Sequence, residues 1–372
     1  MSSTDRENYI QIIESQPSIH DRYTEICRID PIAGDGKFSL VFKAFDGNSK
    51  RRVALKFYNP CEIGNEYRRN CFERESIILE SLIGRRDILQ LVQPKTELNL
   101  QFTEPNTALC VSFSLSFFIT ELADSNVLQY IYSDEVKPLL SLQFFRAMCR
   151  AVQRIHILQI CHRDIKPENF FRIGRGKIHL GDFGTAKCLD SSMPPLLQEY
   201  SGWRGDRRYT APEQCALLEE KSGLFYIGDI YSLGAILFEM FTRQSLFTLI
   251  FDIRFHHSMV EHFRLIPKES REALFNQLIP DVASSRCLPS INDFDTTIPD
   301  CIKVRLDRLY KQLACLDYQR RLKDFNDIFY QINMCTTILE NEATYRRRIE
   351  MRRKWQAERK ARKEKLVQAK QE

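Results

Sequence analysis

The order of secondary-structure signals along the 372-residue chain constrains its fold more than any other feature. Residues 23–57 contain three strand-like segments separated by polar or glycine-containing breaks, as in an antiparallel meander. A helix is predicted over residues 67–82, and more strand-like segments follow up to residue 122. From about Lys137 onward helical patterns dominate. The sequence therefore predicts an α+β protein with a small β-rich lobe followed by a larger, mainly helical lobe.

The chain is expected to divide into four parts. These are a polar leader (1–20), a small N-terminal lobe (21–122), a larger C-terminal lobe (123–336) and a basic helical tail (337–372). The stretch "LVQPKTELNLQFTEPNTALC" is interpreted as an extended loop between strands of the small lobe. Between Asp229 and Arg321 the sequence predicts an insertion on the helical lobe.

Positive charge is concentrated in the tail. Residues 346–372 carry 12 Lys/Arg and 4 Asp/Glu, whereas the rest of the chain carries 42 and 45. The tail lacks glycine and proline and has favourable i,i+4 pairs of glutamate with lysine or arginine, which predicts a long exposed helix. An acidic protein, a nucleic acid or an anionic membrane surface would be attracted to it. A solvated helix without any ligand is the alternative.

The sequence predicts no transmembrane segment and no secretory signal. The most apolar stretch, "LFYIGDIYSLGAILFEMF", contains Asp229 and Glu239, which favours a buried helix. A cytoplasmic location is the expectation, with nuclear import through the basic tail as the alternative.

The stretch "CHRDIKPENFF" gathers polar groups ahead of a strand. The apolar segments "FFRI" and "KIHL", joined by a Gly-Arg-Gly turn, predict a hairpin that returns the chain to its starting point. Asp164, Asn169 and Asp182 of "GDFG" then converge, and an amide oxygen with a carboxylate suits Mg²⁺. Lys166 can place a positive charge beside the same site.

Upstream, "AGDGKFSLV" predicts a tight turn whose exposed amides at Gly34 and Gly36 can approach phosphate oxygens. Glycine-rich hairpin turns are common, so this motif alone is weak. Lys56 lies in the apolar strand "VALKF" and needs a counter-charge. Glu75 falls in the apolar stripe of the predicted helix and is the expected partner.

The ordered set "GDGKFSLV", "VALKF", Glu75, "HRDIKPEN", "DFG" and "APE" resembles the eukaryotic-type (Hanks-type) Ser/Thr protein kinase family over residues 23–334. Two further features fit this resemblance. Asp229 of "DIYSLG" would brace the catalytic-loop backbone, and Arg321 would pair with Glu213 of "APE".

The resemblance implies ATP and Mg²⁺ as cofactors and protein Ser/Thr hydroxyls as acceptors. Asp164 would accept the hydroxyl proton and Lys166 would stabilise the transferring phosphoryl group. Asn169 and Asp182 would hold the metal. Lys56, positioned by Glu75, would hold the α- and β-phosphates.

The resemblance also implies a nucleotide pocket between the lobes. Adenine would contact apolar side chains and the backbone at Glu121 and Ala123, with Thr120 as gatekeeper. The apolar members could equally be ordinary core. The full predicted set is Ala33, Gly34, Gly36, Ser39, Val41, Ala54, Lys56, Thr120, Glu121, Ala123 and Phe171.

The sequence departs from the family pattern where Asp206 replaces the threonine that usually contacts the catalytic residues. Its carboxylate is expected to bring like charge near Asp164 and to compete for Lys166. Ser201 is a candidate phosphorylation site, with an ordinary polar loop as the alternative. The functional alternatives are a catalytically inactive scaffold, a dual-specificity kinase and a small-molecule kinase.

Overall fold

The structure is a computed structural model that describes residues 3–29, 39–103, 110–174, 176–190, 192, 205–218, 222–251, 253–294 and 298–368. The small-lobe strands are β1 (Tyr23–Arg28), β2 (Ser39–Asp46), β3 (Arg51–Tyr58), β4 (Leu91–Thr103) and β5 (Cys110–Glu121). They form one antiparallel sheet in the order β1-β2-β3-β5-β4. Helix α2 (Glu66–Ser81) is capped by Asn65, whose side chain accepts a hydrogen bond from the Arg68 amide. The predicted β-rich lobe and its helix are confirmed.

The segment interpreted as an extended loop is instead most of a long hairpin. Strands β4 and β5 pair from Leu91 to the register Thr103–Cys110, with irregular pairing around Gln93. Pro94 and the polar residues along β4 made the stretch resemble a loop. The interpretation was wrong because the partner strand satisfies the backbone along almost its whole length.

The expected polar leader also differs from the structure. Residues Ser3–Glu14 form helix α1, which packs on the small lobe. Ile10 and Ile13 are buried in a second hydrophobic core with sheet residues such as Phe42 and Phe57. Ile10, Ile12 and Ile13 are the strongly apolar residues of α1, and the burial of Ile10 and Ile13 depends on the sheet that follows in sequence.

The large lobe is mainly helical, as predicted. Its helices are α3 (Val127–Ile131), α4 (Pro138–Ile157), α5 (Pro212–Cys215), α6 (Ser222–Thr242), α7 (Leu246–Ile250), α8 (Ile253–Leu265), α9 (Lys268–Ser285), α10 (Asp300–Leu313), α11 (Phe325–Glu340) and α12 (Glu342–Gln368). Helices α4, α6, α10 and α11 pack around one core. The segment between Asp229 and Arg321 that the sequence predicts to hold an insertion contains α8 and α9, and the insertion itself stays a prediction.

Five short strands lie at the junction of the lobes. They are β6 (Ser125–Asn126), β7 (Ile160–Cys161), β8 (Phe170–Ile173) and β9 (Lys177–Leu180), followed by β10 (Lys187–Cys188), which pairs with β7. Strands β8 and β9 form the predicted hairpin, and β6 extends it. This small sheet holds the loops that carry the polar motifs.

Two helices bear on the membrane and tail predictions. Among the described residues, only Gly223–Thr242 is long and apolar enough to span a bilayer, and 89% of that stretch is buried inside the protein. The tail forms the predicted long helix, α12, and its described side chains after Arg347 are largely exposed. Its ligand stays a prediction.

Gly234 provides a test of how α6 packs on α10. A Cβ atom there would lie 2.5 Å from the Ala314 nitrogen and 2.8 Å from the Leu313 carbonyl carbon. Because both are backbone atoms, no side-chain rotation relieves the clash, and Gly234→Ala should destabilise the protein by about 2 kcal/mol. Gly223→Ala is the matched control, since nothing lies within 4 Å of its Cβ. Urea unfolding measures both, and equal stability of the two variants would contradict this packing.

Candidate active site

The backbone of the loop that contains Asp164 is held in place by a buried carboxylate. Asp229 on α6, which is 1% exposed, accepts hydrogen bonds from the amides of His162 and Arg163, both at 2.9 Å. Arg163 has a left-handed backbone (φ 67°), a conformation that costs energy for a non-glycine residue. The brace predicted for Asp229 is therefore present, and it holds the strained turn that leads into Asp164.

Lys166 and Asp164 meet directly. The Lys166 Nζ atom lies 2.7 Å from Asp164 Oδ2. Burial opposes the charge on the lysine, but Asp164 and Asp182 outweigh it and raise the pKa of Lys166, so the ammonium form persists. The side-chain amide of Asn169 donates to the Asp164 carbonyl at 2.8 Å and lies 3.3 Å from its carboxylate. Three neighbours therefore set the orientation of the Asp164 carboxylate. They are Lys166, Asn169 and the backbone amide of Asp206.

The hairpin brings "GDFG" back beside this loop, as predicted. The Gly181 amide donates to the Asn169 carbonyl at 3.0 Å, which joins the two ends of the hairpin. The next residue, Asp182, has a left-handed backbone (φ 61°). Asn169 and Asp182 therefore lie at the same end of the hairpin, where the sequence predicted them.

Lys56 links the small lobe to this end of the hairpin. Its Nζ atom lies 2.6 Å from Glu75 Oε2 and 3.3 Å from Asp182 Oδ1. Burial opposes the lysine charge, but Asp182 and Glu75 raise the pKa of Lys56 and keep it protonated. Burial likewise opposes ionisation of Asp182, yet Lys56 and Lys166 hold its pKa below the usual range. Burial raises the pKa of Glu75, and the neighbouring ammonium only partly offsets it.

One cleft collects most of the predicted nucleotide residues. Its lining includes eight of that set together with Glu75 and Asp182. The eight are Ser39, Val41, Ala54, Lys56, Thr120, Glu121, Ala123 and Phe171. Ala33, Gly34 and Gly36 lie outside the described residues, as does Ser201. Asp164, Lys166 and Asn169 are beside the cleft, whose wall contains Glu168 of their loop.

The cleft also contains residues that sequence reasoning missed. Leu89 and Ile29 contribute apolar surface, and Arg28 and Arg6 contribute positive charge. Leu89 precedes β4, and Ile29 follows the last residue of β1, so neighbouring motifs could have indicated them. No sequence signal indicated Arg6, because α1 precedes the region with recognisable motifs.

The structure shows how Asp206 is placed relative to Asp164 and Lys166. Its backbone amide, and not its carboxylate, contacts Asp164, at 2.8 Å from Oδ1. The carboxylate turns to Arg208, whose Nη2 lies 2.7 Å from Asp206 Oδ2 and 2.7 Å from Glu168 Oε1. Burial opposes ionisation of Asp206, but Arg208 lowers its pKa. Arg208 therefore makes the direct contacts with both acids, while the charge of Asp206 still acts on Lys166 and helps to raise the pKa of that lysine.

Removing Arg208 should impair the site. Arg208→Ala leaves the carboxylates of Asp206 and Glu168 without their shared cation, and we expect turnover to fall about tenfold, the scale of one charge-assisted pair. Arg264→Ala, an exposed arginine on α8, is the control. Steady-state rates of the reaction proposed below, at saturating nucleotide, measure the effect. A rate equal to that of the control would show that the pair is not required.

The fold, with its β-sheet lobe and helical lobe, is that of a protein kinase domain. Residues 28–331 match the family model described as the protein kinase domain. The chain belongs to the protein kinase family.

Similar proteins come from several eukaryotes. A probable cell division protein kinase of Encephalitozoon cuniculi is 29% identical over 217 residues, which cover 58% of this chain and 71% of the relative. The probable serine/threonine-protein kinase glkA of Dictyostelium discoideum is 30% identical over 58% of this chain and 39% of its own length. Mitogen-activated protein kinase 9 of Oryza sativa subsp. japonica is 28% identical over 59% of this chain and 29% of its own. The chain thus spans well under half of the last two relatives.

Proposed function

We propose that the protein transfers the γ-phosphate of Mg-ATP to serine and threonine hydroxyls of proteins, including its own. The observation that carries this proposal is the group of charged side chains at and beside one cleft. Lys56 lies 3.3 Å from Asp182, Lys166 lies 2.7 Å from Asp164, and the charge of Asp182 also acts on Lys166. In-line phosphoryl transfer needs little covalent help from the protein, so positioned charges account for most of the acceleration.

The donor set at the hairpin fits Mg²⁺. The side-chain nitrogen of Asn169 donates to the Asp164 carbonyl, so the amide oxygen is directed away from that carbonyl and can bind a metal. Asp182 is held as a carboxylate. Two protein oxygens suit Mg²⁺, which keeps its other positions for water and phosphates. Among the described residues no cluster of three His, Cys, Asp or Glu side chains offers an alternative cation site. Bound there, Mg²⁺ would offset the negative charge of the phosphates.

Each remaining group has a distinct role in this proposal. Asp164 orients the acceptor hydroxyl and takes its proton. Lys166 carries a positive charge beside Asp164, where charge develops on the transferring phosphoryl group. Lys56 binds the α- and β-phosphates, and Glu75 fixes its position. Thr120, Glu121 and Ala123 line the part of the cleft assigned to adenine.

Serine/threonine specificity is supported by Lys166 in the catalytic loop and by the name of one relative. The test uses peptides that differ only in a Ser, Thr or Tyr acceptor, together with small alcohols, in the presence and absence of Mg²⁺. We expect metal-dependent transfer to Ser and Thr peptides. Comparable transfer to Tyr would indicate dual specificity, and transfer only to the alcohols would indicate a small-molecule kinase. Nucleotide binding without transfer to any acceptor would favour the scaffold alternative.

A further inference from the structure

Helix α1 lies outside the matched kinase domain, yet it is anchored firmly to the small lobe. Ile10 and Ile13 are 2% and 0% exposed against the outer face of the sheet. At the end of the helix, the Glu14 carboxylate accepts a hydrogen bond from the Arg28 amide at 2.7 Å. Glu7 lies 3.6 Å from the Arg28 guanidinium. The helix is therefore held at the last residue of β1.

This anchor lies next to the phosphate end of the cleft. Arg28 ends β1 and pairs with Phe42 of β2, and the neighbouring Val41 pairs with Lys56 of β3, the residue proposed to hold phosphates. Arg28 and Ser39 both line the cleft. Helix α1 also packs near the turn after β3 (Pro60–Glu62), and the β3 end at Tyr58 pairs with Ser39. Any side chain directed from α1 into the cleft thus arrives at the end where phosphates would lie.

Arg6 is that side chain. It lines the same cleft as Lys56 and Asp182, and its Nε atom is shielded from solvent. The cleft wall contains several carboxylates, so a positive charge at the phosphate end is favourable both for the protein and for an anionic ligand. A guanidinium presents a planar set of donors that matches two phosphate oxygens.

We propose that Arg6 is a nucleotide-binding residue, supplied by a helix outside the kinase domain, that contacts the polyphosphate of the nucleoside triphosphate. This inference rests on the proposed function, because it takes ATP as the ligand of the cleft. It extends that function by making the helix α1 part of the ATP site. Loss of α1 would then weaken ATP binding even though all the kinase motifs remain.

The test is direct binding of ATP and of adenosine to the full chain by titration calorimetry. Arg6→Ala should weaken ATP binding about tenfold, the scale of charge-assisted hydrogen bonds. Adenosine affinity should stay within about twofold, because adenosine has no phosphates. Arg6→Lys should recover part of the loss, since it keeps the charge but not the fork. Alanine is a good helix former, so Arg6→Ala should not unfold α1.

Asn8→Ala, an exposed position on the same helix, is the matched control and should bind ATP as the wild type does. Equal ATP affinity of Arg6→Ala and the control would overturn the inference. An equal loss for ATP and adenosine would also overturn it, because α1 would then act through the shape of the lobe. Failure of the wild type to bind ATP would refute the proposed function and this inference together. Failure of the inference alone is recognised by wild-type ATP binding that Arg6→Ala leaves unchanged.

Discussion

Replacing Asp164 with asparagine should lower the rate of phosphoryl transfer by about 10³-fold, within the range that a positioned general base contributes. Asparagine cannot accept the hydroxyl proton at neutral pH. It does keep a carbonyl oxygen that can accept hydrogen bonds from Lys166, Asn169 or the Asp206 amide. The loop geometry should therefore survive, and ATP affinity should change little.

The measurement is single-turnover transfer from labelled ATP, with ATP affinity determined separately. Asp134→Asn, at an exposed position before α4, is the control and should transfer at the wild-type rate. Unchanged transfer by the Asp164 variant would exclude Asp164 as the base. If both transfer and ATP affinity were lost, the loss would reflect a disrupted site, and the assignment of a base would have no support.

Arg321→Ala should cause the largest loss of stability, about 3–5 kcal/mol, because it leaves a buried carboxylate without its partner. Arg321 and Glu213 form a two-armed ion pair in which the side chains are 0% and 1% exposed. The arginine also donates to the carbonyls of Cys315 and Ile227, at 2.9 Å and 3.0 Å. The pair joins α5 to the segment between α10 and α11.

Urea unfolding measures this loss, and Arg320→Ala, at an exposed neighbouring position, should have little effect. The double variant Arg321→Met with Glu213→Leu should recover part of the stability, since a buried ion pair can be replaced by apolar packing at small cost. A double variant as unstable as Arg321→Ala would show that the hydrogen bonds to the backbone, and not the unpaired glutamate, dominate.

Much of the site could be predicted because its residues are fixed by local patterns. The hairpin that places Asn169 near Asp182 follows from two apolar segments and a glycine-containing turn. The partner of Lys56 followed from the position of Glu75 in a helical stripe. The hairpin joins residues that are close in sequence. For Lys56, a buried positive charge leaves few possible partners.

Other features could not be predicted because they depend on atoms that carry no sequence signal. The contact between Asp206 and Asp164 uses a backbone amide, which every residue except proline has. The carboxylate of Asp206 is directed by Arg208, and that choice depends on the position of Glu168 in another loop. The place of Arg6 in the cleft depends on how α1 packs on strands that follow it.

The most direct test of the central claim is transfer of phosphate from Mg-ATP to protein by the purified chain, followed by intact mass and site mapping. The account predicts mass increments of phosphate on Ser or Thr of the chain or of an added protein, which disappear with chelation of the metal. Stoichiometric ATP binding without any phosphorylated protein, across a range of added proteins, would contradict it.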